Sequence, residues 1–218
     1  MNWTSDLAYA VGLITTDGSL SKDGRHLNLT SKDLDQIQNF AKVLDLKAKI
    51  SLKKGAFTDE KKYYFIQFGD VKLYRFLLSI GLYPNKSKTL NEILIPDVFF
   101  ADFLRGHLDG DGYTYSYWDK RWKSSFLLYT GFISASKDHL EWIKRRIGQL
   151  YKIRGNIKYS GRAVYHLVYA KRASILLLRK IYHEGKITYL ARKKFKIDVA
   201  LDIINKQAGM LELVDRHV

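Results

Sequence analysis

The sequence predicts an α+β protein of two pseudo-symmetric halves, each running α-β-β-α-β-β-α, with the first helix of each half paired against the other. Three observations carry this expectation. One helix-like motif occurs twice, hydrophobic periodicity after each copy alternates between strand and helix in the same order, and a proline-bounded segment separates the copies.

The first motif is Leu7-Ala8-Tyr9-Ala10-Val11-Gly12-Leu13-Ile14-Thr15-Thr16-Asp17-Gly18; the second is Phe103-Leu104-Arg105-Gly106-His107-Leu108-Asp109-Gly110-Asp111-Gly112. Gly12 and Gly106 stand 94 residues apart, as do Asp17 and Asp111. Further on, Ser31-Lys32-Asp33 finds an echo in Ser136-Lys137-Asp138 at a spacing of 105, which leaves about eleven extra residues for a longer hairpin loop near 118–125. After the first motif, 19–30 reads as a hairpin around the turn Lys22-Asp23-Gly24. A helix is expected over 31–46, with Leu34, Ile37, Phe40, Ala41 and Leu44 on one face and Ser31 as N-cap. Strict alternation marks 47–53 as a half-buried strand, 61–69 as its partner, and Leu73, Phe76, Leu77 and Ile80 place a helix over 71–82. The second copy repeats the order: strands at 113–117 and 126–134, a helix at 136–150, strands at 152–159 and 162–169, a helix at 171–183. Pro84 and Pro96 bound a linker over 83–96, dividing 1–96 from 97–218. A further helix is read over 189–207, and the tail 208–218 has no counterpart in the first half.

The chain has 218 residues, 46% of them hydrophobic, and 37 Lys plus Arg against 22 Asp plus Glu, a net charge of +15. That balance points to a polyanion, nucleic acid first and an anionic membrane surface second. The excess is larger after residue 96, with 23 basic and 12 acidic side chains against 14 and 10 before it. No apolar run approaches a membrane span, the first residues are polar rather than a signal peptide, and an intracellular setting is expected. With no cysteine, disulfides and thiolate zinc sites are excluded.

An acidic residue before glycine at a helix end has an ordinary role in chain termination. Here the pattern recurs at matched positions. Ala8, Gly12 and Thr16, and Gly106 and Gly110, put small residues at a spacing of four, which lets two helix backbones approach closely. Such packing brings the Asp17 and Asp111 carboxylates to one point, where they repel unless a cation joins them. Hard oxygen donors suit magnesium or another divalent cation of that kind.

These two helices resemble the signature motifs of the LAGLIDADG homing endonucleases, and the resemblance of element order covers about residues 5 to 195. It implies a monomer that makes a metal-dependent staggered double-strand cut in a long asymmetric DNA target. Asp17 and Asp111 are then the metal-binding catalytic acids, with main-chain carbonyls from Thr16 and Gly110, and Mg2+ or another divalent cation as cofactor. Lys32 and Lys137 take the place of the assisting basic residue. Thr15 replaces the first Asp of the motif, which Asp109 retains; that position is not the family's metal ligand. The family's curved antiparallel sheets form a DNA-binding saddle laid along the major groove, whose edges distinguish all four base pairs. The side chains expected to reach DNA are Arg25, His26, Asn28 and Thr30 in the first hairpin, and Lys47, Lys49, Ser51 and Lys53 after it. In the second half they are Lys152, Arg154, Asn156 and Lys158, with Lys120, Arg121 and Lys123 in a loop that also holds Trp118 and Trp122, a pair that could instead pack together. His107 is expected to be a packed core residue. The alternatives are a maturase acting on structured intron RNA and a non-cleaving DNA-binding regulator on the same fold. A protein-splicing role is disfavoured, since the chain starts with neither Cys nor Ser and does not end in Asn.

Overall fold

The computed structural model describes residues 1–54, 62–122, 125–161 and 163–215. The first half runs α1 (Ser5–Thr16), β1 (Gly18–Leu20), β2 (His26–Ser31), α2 (Leu34–Val43), β3 (Ile50–Lys54), β4 (Lys62–Gly69) and α3 (Val71–Ser79). The second runs α4 (Phe100–Asp109), β5 (Tyr113–Trp118), β6 (Phe126–Ser134), α5 (Lys137–Tyr151), β7 (Asn156–Tyr159), β8 (Tyr165–Tyr169) and α6 (Lys171–Ile181), followed by α7 (Ala191–Asp215). The two antiparallel sheets have the same strand order, β1-β2-β4-β3 and β5-β6-β8-β7. This is the α+β repeat that the sequence predicts. Among the described residues no helix is long and apolar enough to cross a membrane.

α1 begins where the Thr4 hydroxyl accepts from the Leu7 N–H at 3.0 Å. It buries every residue from Leu7 to Thr15, because it lies between the halves rather than on a surface. Its partner is α4, and glycine makes their contact possible. A Cβ on Gly12 would lie 2.3 Å from the Phe103 carbonyl oxygen, and one on Gly106 would lie 2.0 Å from that of Tyr9. Ala8, on the same helix, is fully buried. Each sheet turns one face to the helices and leaves the other open. Along β2, Leu27 and Leu29 are buried while His26, Asn28 and Thr30 are partly exposed. The first hairpin turns at Gly24, with φ of 76°, and Asp23 accepts from the backbone N–H groups of Arg25 and His26.

Several boundaries differ from the sequence expectation, each for a local reason. Ser31 is the last residue of β2, paired with Tyr64, and Asp33 holds the N-cap position of α2. α2 ends at Val43, and Asp45 just beyond takes a left-handed φ of 49°. β3 starts at Ile50, so Lys47 and Lys49 precede the ladder, and Leu52 in the expected inward row is 58% exposed. β7 starts at Asn156, because Lys152 caps α5 in a left-handed conformation with φ of 58°.

The repeat also has a different offset. The Ser31 hydroxyl accepts from the Asp33 N–H at 3.1 Å, and the Ser134 hydroxyl accepts from the Ser136 N–H at 3.0 Å. Ser31 pairs with Tyr64 as Ser134 pairs with Tyr165. The halves therefore correspond at a spacing of 103, not 105. Ser136 is the counterpart of Asp33, His139 of Gln36, and Lys137 of Leu34.

Two buried acidic groups brace the second half, and one of them also reaches the first. Asp102 accepts from Arg105 at 2.7 Å, and that guanidinium also donates to the carbonyls of Ile181 and Thr188 at 3.0 and 2.8 Å. Arg105→Ala leaves Asp102 buried without its cation, and should cost about 3–5 kcal/mol in chemical denaturation. Asp109, fully buried, accepts from the Tyr9 hydroxyl at 2.8 Å and the Leu190 N–H at 2.7 Å. Its counterpart Thr15 donates to its own helix at Val11 instead. Asp109 is thus a structural acceptor between α1, α4 and the approach to α7.

Candidate active site

The ends of α1 and α4 bring Asp17 and Asp111 together. Both line a cavity of about 330 Å3 with Thr30, Ser31, Lys32, Gln36, Gly110 and Arg192 among its other walls. A second cavity, about 120 Å3, is lined by Thr16, Asp111, His107, Ser134 and His139 among others. Asp111 therefore lines both cavities and Asp17 the larger one alone, with Gly110 beside them in the larger and Thr16 in the smaller. Burial, then the neighbouring Asp111 charge, pushes the Asp17 carboxyl up to about 6. Gln36 opposes this by donating its amide to Asp17 Oδ2 at 2.5 Å. Asp111 keeps more surface in solvent and is raised in the same direction, by desolvation.

Two lysines, Lys86 buried and Lys193 partly buried, belong to this site and were missing from the sequence expectation. Lys86, in the linker, donates to the Gly18 carbonyl at 2.6 Å. Lys193, in α7, donates to the carbonyls of Leu108, Gly110 and Gly112 at 2.7, 2.9 and 2.7 Å. They are equivalents, each following the last helix of its half and each reaching the glycine carbonyl just past its motif aspartate. Burial pushes both down to about 8, against the pull of Asp17 and Asp111. No local motif distinguishes them among 37 Lys plus Arg. Their positional match becomes visible only once the repeat is aligned.

The pseudo-symmetry breaks beside the carboxylates. His139 stands where Gln36 stands in the first half, but its Nδ1 meets the Asn91 carbonyl at 2.8 Å and its Nε2 lies 3.3 Å from His107 Nε2. Burial pushes His139 down to about 4 and His107 well below its usual range, so the pair is neutral. His107 is 1% exposed, in the core as its position predicts.

The other expected site residues are distributed unevenly. Lys32 lines the larger cavity; Lys137 is exposed at the start of α5 and lines neither, a consequence of the two-residue offset. Arg192, not anticipated, also lines that cavity and is held by Asp33 at 2.7 and 2.5 Å. On the open face of the first sheet lie Asn28, Thr30, Ser51 and Lys53, the last with its ammonium 3.9 Å from the Phe65 ring centre. His26 shares that face and is bonded to Asp23 at 2.5 Å, while Arg25 is exposed beside it. Asn156 and Lys158 lie on the open face of the second sheet; Lys152 and Arg154 are exposed just before it. Lys120 is exposed, Arg121 is folded back onto Asp119 at 3.1 Å, and Lys123 lies outside the described residues. Trp118 packs on Phe126, and Trp122 is 69% exposed.

Among the described residues no three of His, Cys, Asp and Glu cluster to hold a metal ion. A cation would rest on Asp17 and Asp111 with carbonyl oxygens, all hard donors of the type Mg2+ takes. The residues fit that role, since both carboxyls are raised by desolvation, Asp17 also by the Asp111 charge, and a shared divalent cation relieves both.

Paired motif helices, two open four-stranded sheets and convergent aspartates define a protein of the LAGLIDADG fold, and the solved structures agree. The homing endonuclease I-WcaI bound to its DNA recognition sequence superposes with a TM-score of 0.64 at 15% identity, over 89% of this chain and 88% of that one. I-DmoI in complex with DNA and Mn gives 0.55 at 21%, over 84% and 98%. Full-length DUF199/WhiA from Thermatoga maritima gives 0.58 at 14%, over 100% and 69%. No protein-family model matches the sequence, and no curated protein matches it.

Proposed function

We propose that this chain is a site-specific DNA endonuclease of the homing type, acting as a monomer to make a staggered double-strand cut in a long asymmetric duplex. The observation that carries the reading is the convergence of Asp17 and Asp111, with Lys86 and Lys193 beside them, between two open sheets. The neighbours of the same fold that are described as bound to DNA, one of them with manganese, support it.

Asp17 and Asp111, with the carbonyls of Thr16 and Gly110, would hold Mg2+ or a similar cation, which when bound activates water and stabilises the leaving 3′ oxygen. The remaining steps fall to the chain. Gln36 fixes one oxygen of Asp17. Lys86 and Lys193 supply ammonium charge beside the carboxylates, and Lys32 and Arg192 offer cations to a phosphate at the mouth of the larger cavity. The open-face residues of both sheets align the duplex, some by phosphate contact and some at base edges. Lys86→Met should lower cleavage about 10²- to 10³-fold while duplex binding changes little, as for other removed transition-state donors. Single-turnover cutting beside a filter-binding titration checks it.

Incubating the protein with a randomised duplex library and Mg2+, then sequencing the ends, tests the function. Recurrent paired cuts at one sequence support it; duplex recovered intact, with binding retained, contradicts it. Binding without cleavage, of DNA as a regulator or of structured intron RNA as a maturase, is the second reading. One feature favours it: Lys86 and Lys193 already set two ammonium groups beside the carboxylates and partly offset their charge.

A further inference from the structure

The open faces of the two sheets differ in chemistry. On the first, Ser19, Asn28 and Gln67 share a row, and Thr30, Phe65 and Ser51 share the next. The amides of Asn28 and Gln67 each offer a donor and an acceptor, the pattern that reads a base edge by hydrogen bonding. On the second sheet every open-face position of β5 is tyrosine. Tyr113, Tyr115 and Tyr117 stack along the strand with ring centres 5.9 and 6.1 Å apart, and Tyr129 of β6 stacks on Tyr115 at 5.0 Å. The planes agree within 25°, 3° and 15°. Packing of the core does not require these rings, because the opposite face of β5 and β6, with Thr114, Ser116 and Leu128, is the one against α7. Tyr115 and Tyr117 remain 46% and 45% exposed.

We infer that this tyrosine ladder reads an A·T-rich half-site in the major groove through the thymine methyl groups. The inference rests on the DNA-binding reading above and names what the second half recognises. The rings stack on one another, so their flat faces are already used. A platform for unpaired bases needs those faces free. What the ladder presents instead is apolar ring edges and neutral hydroxyls. An edge gives apolar contact to a thymine methyl, and a hydroxyl can donate to thymine O4. The neighbouring open-face residues Leu127, Ile133 and Val168 extend the same apolar character, and the polar residues of that face, His166, Asn156 and Lys158, lie on β8 and β7 rather than on β5. No arginine, the usual reader of guanine, stands in the ladder. The first half, with Arg25, Asn28 and Gln67, is equipped for hydrogen-bonded bases. The two half-sites should therefore differ in composition as well as in sequence.

The test uses the full chain and a randomised duplex pool in Ca2+, followed by sequencing of the bound fraction. Thymine should be enriched on one side of the recovered site. Remaking that duplex with deoxyuridine for thymidine on that side removes only methyl groups, and should weaken binding about fourfold per contacted methyl. The same exchange on the other side should have little effect. A Tyr115→Ser/Tyr117→Ser/Tyr129→Ser variant should lose the thymine preference of that side and keep the selection of the other. The corresponding Tyr→Phe variant, which preserves the ring edges, should retain the preference. Bound duplex without thymine enrichment, or equal uridine effects on both sides, overturns the inference alone. Recovery of single strands in preference to duplex overturns it together with the DNA-duplex reading.

Discussion

Gly106→Ala is expected to destabilise the protein by at least about 3 kcal/mol, enough to lower the melting temperature by roughly 10 °C in a chain of this size. The added Cβ would stand 2.0 Å from the Tyr9 carbonyl oxygen, and its nearest neighbours are backbone atoms of α1 that cannot turn aside as a side chain can. Relief requires the helices to separate, which disturbs the Tyr9–Asp109 bond and the meeting of the aspartates at their far ends. Gly12→Ala meets Phe103 in the same way, at 2.3 Å. Gly148 supplies the control. It lies inside α5, and a Cβ there would find only the Ile153 carbonyl at 3.9 Å. Gly148→Ala should raise stability by about 0.5–1 kcal/mol through helix propensity and a smaller unfolded-state entropy. Thermal melts of the three variants against the parent chain decide the matter.

Asp17→Asn should separate stability from activity. Cleavage should fall on the order of 10³-fold or more, because the variant loses one of the two carboxylates proposed to hold the cation. In chelator, the same variant should be more stable than the parent at pH 7, by about 1–3 kcal/mol. The sign follows from the carboxyl, which titrates near 3.8 in the unfolded chain and about 6 in the folded one. Between those values the folded state binds more protons, so the parent loses stability as pH rises from about 4 to 6. The Asn variant lacks that contribution and should show a flatter profile across the window. Asp111→Asn should move in the same direction, with a smaller gain because Asp111 retains more contact with water. Urea denaturation at pH 4.5 and 7 measures both.

The order of elements was legible in the sequence because each half switches between periods of 2 and 3.6 within short, well-bounded stretches. The pairing of α1 with α4 was legible too, since Gly12 and Gly106 have no other reason to sit at the same point of two buried helices. Boundaries were less so. Lys47-Ala48-Lys49 continues the alternation of β3 in sequence, but the chain has not yet met β4 and forms no ladder there. The offset of the repeat was misread because Ser-Lys-Asp occurs at both sites by coincidence, two residues out of register. That shift carried Lys137 into a role for which the structure leaves it exposed. Lys86 and Lys193 escaped notice because what sets them apart is burial against carbonyl oxygens, which is a tertiary property. Gln36 escaped for a similar reason, as its amide meets Asp17 only after β2 returns the chain to the end of α1.

The proposed function requires that Asp17 and Asp111 together hold a divalent cation. Anomalous diffraction from Mn2+ in crystals of the protein with its recovered duplex tests it most directly. A manganese peak is expected between these two carboxylates, absent when both are changed to Asn. A fully bound duplex with no manganese at Asp17 and Asp111, or with manganese held by other residues, would contradict it.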